Sequence, residues 1–279
     1  MAAPLISIII ATKNAASLLP KCLDSIRAQS FRGFEVLVAD GASTDGTLDV
    51  IRAYADVVTA WDSQPDSGPY AARNRVLPRA NGDWIYFLGA DDWLLNSLAL
   101  ETMAPHLRNA FPRYRVVYSR VQLIDLGGRL VDELGEPWDR CRDAFRSCCC
   151  LAHQGVLHHR RSFEEHGLFD EEFKMAGDYE MLLRELKDKD ALFVPALTVA
   201  MGFGGQTTDL SHAYRLLDET RKALVMHGMA PPRMRWAYLM FTAWCYLKLH
   251  RVIGDRAARR LADVYRVLTL RKPRYSGTV

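Results

Sequence analysis

The chain has 279 residues, 49% of them hydrophobic and 25% charged, with 36 Lys+Arg against 33 Asp+Glu for a formal net charge of +3. Those proportions suit a packed globular protein and exclude a disordered, collagen-like or coiled-coil chain. The near-neutral total hides an asymmetry, because residues 233–274 carry 11 Lys/Arg and 2 Asp/Glu, a net of +9, which leaves −6 for the rest.

The first hundred residues alternate between two periods. Residues 5–11 form a continuous β-branched run, as expected for a strand buried on both faces. Leu18, Leu19, Cys22, Leu23 and Ile26 then share one helical face. A second strand is expected at 34–39. Ser43 or Thr44 is placed to cap a helix bearing Leu48, Ile51 and Tyr54. A short strand at 57–61, a helix at 70–77 and a buried strand at 84–88 follow. This alternation predicts a mostly parallel, doubly wound α/β sheet with helices on both faces, whose ligands sit beyond the carboxyl ends of the strands. The second half predicts a hairpin from 115–124 and 128–133, a helix at 177–189 and a strand at 191–195. A glycine-bearing loop at 202–206 and a helical C-terminal extension, interrupted at Pro231-Pro232, complete the pattern.

Six cysteines, three of them adjacent at Cys148, Cys149 and Cys150, lack zinc-ribbon spacing and are poorly placed for disulfides, which fits a reducing compartment. The triplet is expected to be buried packing. No basic segment precedes the apolar run at Leu5, so no signal peptide is expected. The charge-free apolar stretch 236–247 is well short of the ~20 residues that span a bilayer. The expected location is the cytoplasm.

Two expected strands end in acids. The second runs into Asp40-Gly41-Ala42-Ser43-Thr44-Asp45-Gly46, and the later one into Gly89-Ala90-Asp91-Asp92. An acid one residue past a strand can accept from a base N–H or a ribose hydroxyl, or can simply cap a turn. Adjacent carboxylates suit a hard divalent cation that also takes substrate phosphates. The first strand leads into Thr12-Lys13-Asn14 rather than a G-x-G-x-x-G loop, and no G-x-x-x-x-G-K-[ST] occurs. That counts against a nicotinamide dehydrogenase and a phosphate-loop NTPase.

Several stretches in order resemble the family 2 glycosyltransferases. They are Ser7-Ile8-Ile9-Ile10-Ala11-Thr12-Lys13-Asn14, Val38-Ala39-Asp40-Gly41, Asp66-Ser67-Gly68-Pro69-Tyr70, Ala72-Arg73-Asn74, Gly89-Ala90-Asp91-Asp92 and Gly177-Asp178-Tyr179-Glu180. The resemblance covers roughly residues 4–210. It implies a GT-A-like fold, a nucleotide-diphosphate sugar donor, with a UDP-sugar expected first, and transfer with inversion to an acceptor hydroxyl. It places Thr12, Asn14, Asp40, Asp66, Arg73, Asn74 and Asp91 on the nucleotide-sugar side, and Asp91 and Asp92 on Mn²⁺ or Mg²⁺. It makes Asp178 the general base and Gly204-Gly205-Gln206-Thr207 a loop that closes over the diphosphate. The chain departs from the family at Gly89, where an acid is frequent and which leaves the ribose contact to Asp91 or to no residue. It departs again at Gly41, where many relatives carry a second acid.

The expected organisation is a glycosyltransferase domain at 1–215, with a nucleotide-sugar-binding half at 1–105 and an acceptor half at 106–215, then a basic amphipathic helical region at 216–279. His153 and Gln154 are expected on the acceptor side, facing a glycan or lipid-linked glycan, and His158 and His159 are expected to be structural. On residue pattern alone, Asp178 reads rather as an acid favoured by a helix N-terminus, and the family resemblance reverses that preference. In the tail, Ala257, Leu261, Val264, Tyr265 and Leu268 follow helical spacing, with Arg256, Arg259, Arg260 and Arg266 off that stripe. Two readings stand for it: attachment to the anionic inner face of the cytoplasmic membrane, or packing on the main domain with a solvated basic face. No nucleic-acid partner is expected. The competing functions are a nucleotidyltransferase, which should carry a Gly/Arg/Lys-rich loop after the first strand, and an inactive nucleotide-binding homologue.

Overall fold

A computed structural model of the chain describes residues 3–125, 128–202, 212–229 and 233–268. Nine strands among them join one sheet: β1 (Ile6–Thr12), β2 (Phe34–Asp40), β3 (Ala60–Ser63), β4 (Trp84–Gly89), β5 (Trp93–Leu94), β6 (Val116–Ile124), β7 (Leu130–Leu134), β8 (Val156–His159) and β9 (Leu192–Gly202). The order is β3-β2-β1-β4-β8-β6-β9-β5, with β7 beside β6. The first four strands run parallel, as expected. Beyond β4 the sheet is mixed: β8 is antiparallel to both neighbours, and β9 is parallel to β6 but antiparallel to β5.

The β-branched run of β1 serves both faces. Ile6, Ile8 and Ile10 join a core with Leu19, Cys22, Leu23 and Ile26 of α1 (Leu19–Arg27) and Leu100, Met103 and Leu107 of α4 (Ala99–Ala110). Ile9 points the other way, into a core with α3 (Pro69–Val76), α5 (Trp138–Phe145) and α7 (Gly177–Leu186). Opposite-facing burial of consecutive residues follows from the period of two in a strand. The remaining helices are α2 (Thr47–Ala53), α6 (Arg160–His166), α8 (Ala213–Met226) and α9 (Arg233–Leu268), the last interrupted by non-helical backbone at Gly254.

Several boundaries differ from expectation for physical reasons. The third strand begins at Ala60 because Val57 and Val58 still belong to the turn that closes α2, their N–H groups donating to the Tyr54 carbonyl. Neither Ser43 nor Thr44 caps α2. Gly46 occupies that position at φ +93°, and the Asp45 carboxylate accepts from the Thr47 N–H. The last strand continues well past Pro195, whose missing N–H is accommodated where the β6–β9 register shifts. The expected division at 215 falls inside α8. Ala223 and Leu224 of that helix are fully buried in the core shared with α7, so α8 is part of the main body. The expected Gly204–Thr207 loop lies outside the described residues.

Candidate active site

The parallel strands end level with one another. Thr12 pairs with Asp40, and Ala11 pairs with Gly89. A cavity of about 630 Å³ opens over those ends. Its walls come from residues 11–15 after β1, the segment 66–73 leading into α3, residues 89–92 after β4, His153 and Gln154 before β8, residues 174–178 entering α7, and Met201 and Gly202 ending β9.

Most of the expected site residues face this space: Thr12, Asn14, Asp66, Arg73, Asp91, Asp92, His153, Gln154 and Asp178. Thr12 Oγ1 is buried without a partner in the protein. Asn14 sits at φ +50° and ties the loops together, donating its N–H to Ser43 Oγ and accepting the Thr44 N–H on Oδ1. Asp66 both lines the cavity and accepts the Gly68 N–H at 3.1 Å. The departure at Gly41 is steric as well as chemical. A Cβ there would lie 2.8 Å from Asp66 Oδ2 and 3.1 Å from Lys13 Cδ.

Two expected contacts are corrected. Asp40 is fully buried, and its carboxylate is occupied by the Ser43 N–H, the Ser43 hydroxyl and the Ser63 hydroxyl. It shapes the loop after β2 and does not line the cavity. Asn74 is also turned away. Its amide donates to the Phe169 carbonyl and Glu171 and accepts the Phe169 N–H, clamping α3 to the segment before α7.

The guanidinium of Arg73 lies 5.6, 5.1 and 5.8 Å from the ring centroids of Tyr70, Phe87 and Phe169. The rings hold its plane, and Arg73 Nε is buried without a hydrogen-bond partner in the protein. A fixed, under-satisfied cation in a cavity is suited to an anionic ligand.

Asp92 is 3% exposed and accepts the Gly89 N–H at 3.1 Å. Burial and the neighbouring charge of Asp91 push its carboxyl up to about 8. Gly89 makes this crowding feasible, since a Cβ there would fall 2.5 Å from Asp92 Oδ2 and 2.8 Å from Asp91 Oδ1. Two hard oxygen donors that repel each other in a buried position fit a divalent cation such as Mn²⁺ or Mg²⁺. No group of three or more acidic, His or Cys side chains is placed to hold a metal ion among the described residues, so phosphate oxygens and water would complete such a shell.

Asp178 enters on the first turn of α7, opposite this pair. It accepts its own helix's Tyr179 N–H at 2.8 Å and the Tyr70 hydroxyl at 3.4 Å. Burial raises its carboxyl above the ordinary value, although the Arg73 charge and these donors pull the other way. Gly177 lets α7 approach, since a Cβ there would be 2.8 Å from the Tyr70 ring. Glu219 of α8 holds the approach to the helix: one carboxylate oxygen accepts the N–H groups of Lys174, Met175 and Ala176 at 3.0, 2.7 and 3.0 Å.

Some residues here escaped the sequence reading. Tyr70 and Lys174 line the cavity, and Lys174 Nζ bridges the carbonyls of Ser67 and Glu171. Their place in the cavity has no local signal, because Asp178 lies 108 residues from Tyr70 and Ser67 lies 107 from Lys174. The cysteine triplet is only partly core packing: Cys150 is half-buried against the core, Cys148 is half-buried and Cys149 exposed, while Cys141 of α5 takes the buried place. His159 is structural as expected, stacked on Phe111 at 4.0 Å and accepting the Arg161 N–H. His158 reaches the site through His153, Nε2 to Nε2 at 3.0 Å.

The sequence model of Glycosyl transferase family 2 matches residues 7–129. A "PGL/p-HBAD biosynthesis glycosyltransferase" of Mycobacterium bovis (strain BCG / Pasteur 1173P2) is 35% identical over 189 residues, 66% of this chain and 70% of that protein. Staphylococcus aureus TarS 1–349 in complex with UDP-GlcNAc is similar at TM-score 0.62 and 18% identity, over 78% of this chain and 66% of that one. Mannosyltransferase PcManGT from Pyrobaculum calidifontis, in complex with GDP-Man and Mn²⁺, is similar at TM-score 0.63 and 18% identity, over 99% of this chain and 84% of that one. At such identities the two structures speak to the fold alone.

Proposed function

The chain belongs to glycosyl transferase family 2 and is a glycosyltransferase of GT-A-like fold, and on that premise we propose that it inverts an anomeric centre while moving a sugar from a nucleoside diphosphate to an acceptor hydroxyl. One observation carries the reading: a half-buried carboxylate with a raised proton affinity, Asp178, shares a cavity with the Asp91/Asp92 pair and the ring-held Arg73. A single in-line displacement needs one general base and no protein nucleophile. Asp178 takes the acceptor proton as the hydroxyl oxygen bonds to the anomeric carbon, and the bond from that carbon to the diphosphate oxygen breaks. Arg73 offers fixed positive charge to the departing diphosphate. Asp91 and Asp92 would hold Mn²⁺ or Mg²⁺, whose contribution when bound is Lewis-acid stabilisation of that leaving group. Thr12, Asn14 and Asp66 border the nucleoside, and His153 and Gln154 border the acceptor.

The donors bound to TarS and PcManGT, UDP-GlcNAc and GDP-Man, support a nucleotide-sugar donor. The mycobacterial relative, named for PGL/p-HBAD biosynthesis, supports an acceptor of that biosynthetic kind. A thermal-shift panel of nucleoside diphosphates and their sugars, with and without Mn²⁺, tests the reading. The expected result is stabilisation by a diphosphate that depends on Mn²⁺ and disappears in Asp91→Ala, since a ligand bound only to the folded state raises its melting temperature. No response to any nucleotide would sink it.

The tail supports a finer location. α9 packs against α8, its first half buries Trp236 and Ala243, and Met234 is 88%, Phe241 60% and Val252 81% exposed. Tyr238 and Trp244 are exposed on the same half of the helix, and Lys248 Nζ lies 5.7 Å from the Trp244 ring. No helix among the described residues is long and apolar enough to cross a membrane. Aromatic and apolar exposure within a segment of net charge +9 suits an anionic bilayer surface. The protein is expected to co-sediment with vesicles containing phosphatidylglycerol. Binding should fall when Phe241 and Trp244 become Ser, and again when Arg256, Arg259 and Arg260 become Glu. Wild-type sedimentation by both variants would overturn membrane attachment.

A further inference from the structure

Two buried imidazoles stand behind Asp178. His153 is 6% exposed and His158 1%. Their Nε2 atoms are 3.0 Å apart, so one proton lies between them and one ring donates while the other accepts. The other nitrogen of His153, Nδ1, is 3.9 Å from Asp178 Oδ2. That gap is too long for a hydrogen bond in the resting geometry, and catalytic contacts of this kind tighten when substrate is bound. Phe87 holds the His153 ring in a stack at 5.7 Å and 17°. The groups facing this cluster are Arg73 and Tyr70 from α3, Asp178 from α7, and Cys149.

We propose that His158 and His153 act as positioning residues for Asp178: His158 donates from Nε2 to His153 Nε2, so that His153 presents an Nδ1–H toward the carboxylate. The proposal rests on the reading of Asp178 as the base. The direction of donation follows from the neutrality of both rings and the position of Asp178. The neighbouring Arg73 cation and the burial of both rings disfavour an imidazolium, and burial pushes His158 down to about 3. With both rings neutral, His153 has one proton to place. Placing it on Nε2 would turn a lone pair toward an acidic oxygen, whereas placing it on Nδ1 directs a donor at the carboxylate and leaves Nε2 free to accept from His158. The arrangement holds Asp178 ionised and oriented while keeping a second cation out of the cavity, and the other nitrogen's partner sets the tautomer.

Nitrogen-15 NMR of histidine-labelled protein reads the tautomers without any donor or acceptor, so it stands apart from the test of sugar transfer. The expected spectrum shows His153 protonated at Nδ1, His158 protonated at Nε2, and neither ring charged at pH 5. In His158→Phe, His153 should move to the Nε2–H form. In His158→Gln, whose amide can donate in the same direction, the Nδ1–H form should return. Should His158→Phe not fold, the wild-type spectrum decides alone. An Nε2-protonated or charged His153 in the wild type, or an unchanged tautomer in a folded His158→Phe protein, would overturn the proposal.

Discussion

Replacing Asp178 by Asn is expected to lower sugar transfer about a thousandfold while leaving donor affinity unchanged. A positioned base supplies roughly 10²–10⁴ of rate, and an amide cannot take the acceptor's proton. Donor affinity survives because Arg73, Asp91, Asp92 and Thr12 are untouched, and the Tyr179 N–H can still meet the Asn oxygen. The wild-type pH profile should carry the same signature. Burial raises the Asp178 carboxyl in the folded protein, so kcat/KM should fall on the acid side at a pH above the ordinary carboxylate value of about 3.9. The sign for stability is opposite to that of a salt-bridged acid. Between the unfolded and folded values the unfolded chain ionises first, so Asp178 costs stability as pH rises through that window. Asp178→Asn is therefore expected to melt no lower than wild type at pH 8, which separates lost chemistry from lost structure. Unaltered turnover would remove Asp178 from the mechanism.

The second large effect is on stability and arises on α8. Glu219→Ala takes away the acceptor of three backbone N–H groups and the partner of Arg215. Leaving such donors without an acceptor costs about 3 kcal/mol after water has met part of the need. For a chain of this size that corresponds to roughly 6–10 °C in melting temperature. Glu219→Gln keeps one acceptor oxygen and should lose far less. Burial pushes the Glu219 carboxyl up, but the three N–H donors and Arg215 outweigh it and hold it below the ordinary value. Its stabilisation is thus complete above the unfolded value of about 4.3 and is lost as pH falls through the folded one. A melting curve equal to wild type at pH 7 would show that the loop before α7 does not depend on this carboxylate.

The parallel half of the fold was legible because its signals are local. The unbroken β-branched run of β1 and the strand–helix alternation each sit within a dozen residues. Asp91, Asp92 and Asp178 were legible through the order of family motifs, while periodicity alone left Asp178 as a helix-end acid. Asp40 and Asn74 show the limit of that route. A carboxylate past a strand looks the same in sequence whether it faces a cavity or the hydroxyls of Ser43 and Ser63. An amide beside Arg73 carries no mark that it turns toward Phe169. The contacts of Tyr70 with Asp178 and of Glu219 with the segment before α7 join stretches far apart in the chain, and no spacing rule encodes them. The course of α8 across residue 215 was hidden for the same reason, since Glu219 of that helix anchors a loop some forty residues upstream.

The occupied carboxylate of Asp40 has a consequence for which nucleobase can be accommodated. An ionised acid only accepts, and facing the cavity it would favour a base edge that offers an N–H. With Asp40 committed to Ser43 and Ser63, the side-chain atom left without a partner at the head of β1 is the Thr12 hydroxyl. A hydroxyl rotates to donate or accept as its partner requires. On the proposed reading, charge at this point then gives no preference between pyrimidine and purine, and guanosine diphosphates belong beside uridine diphosphates in the thermal-shift panel.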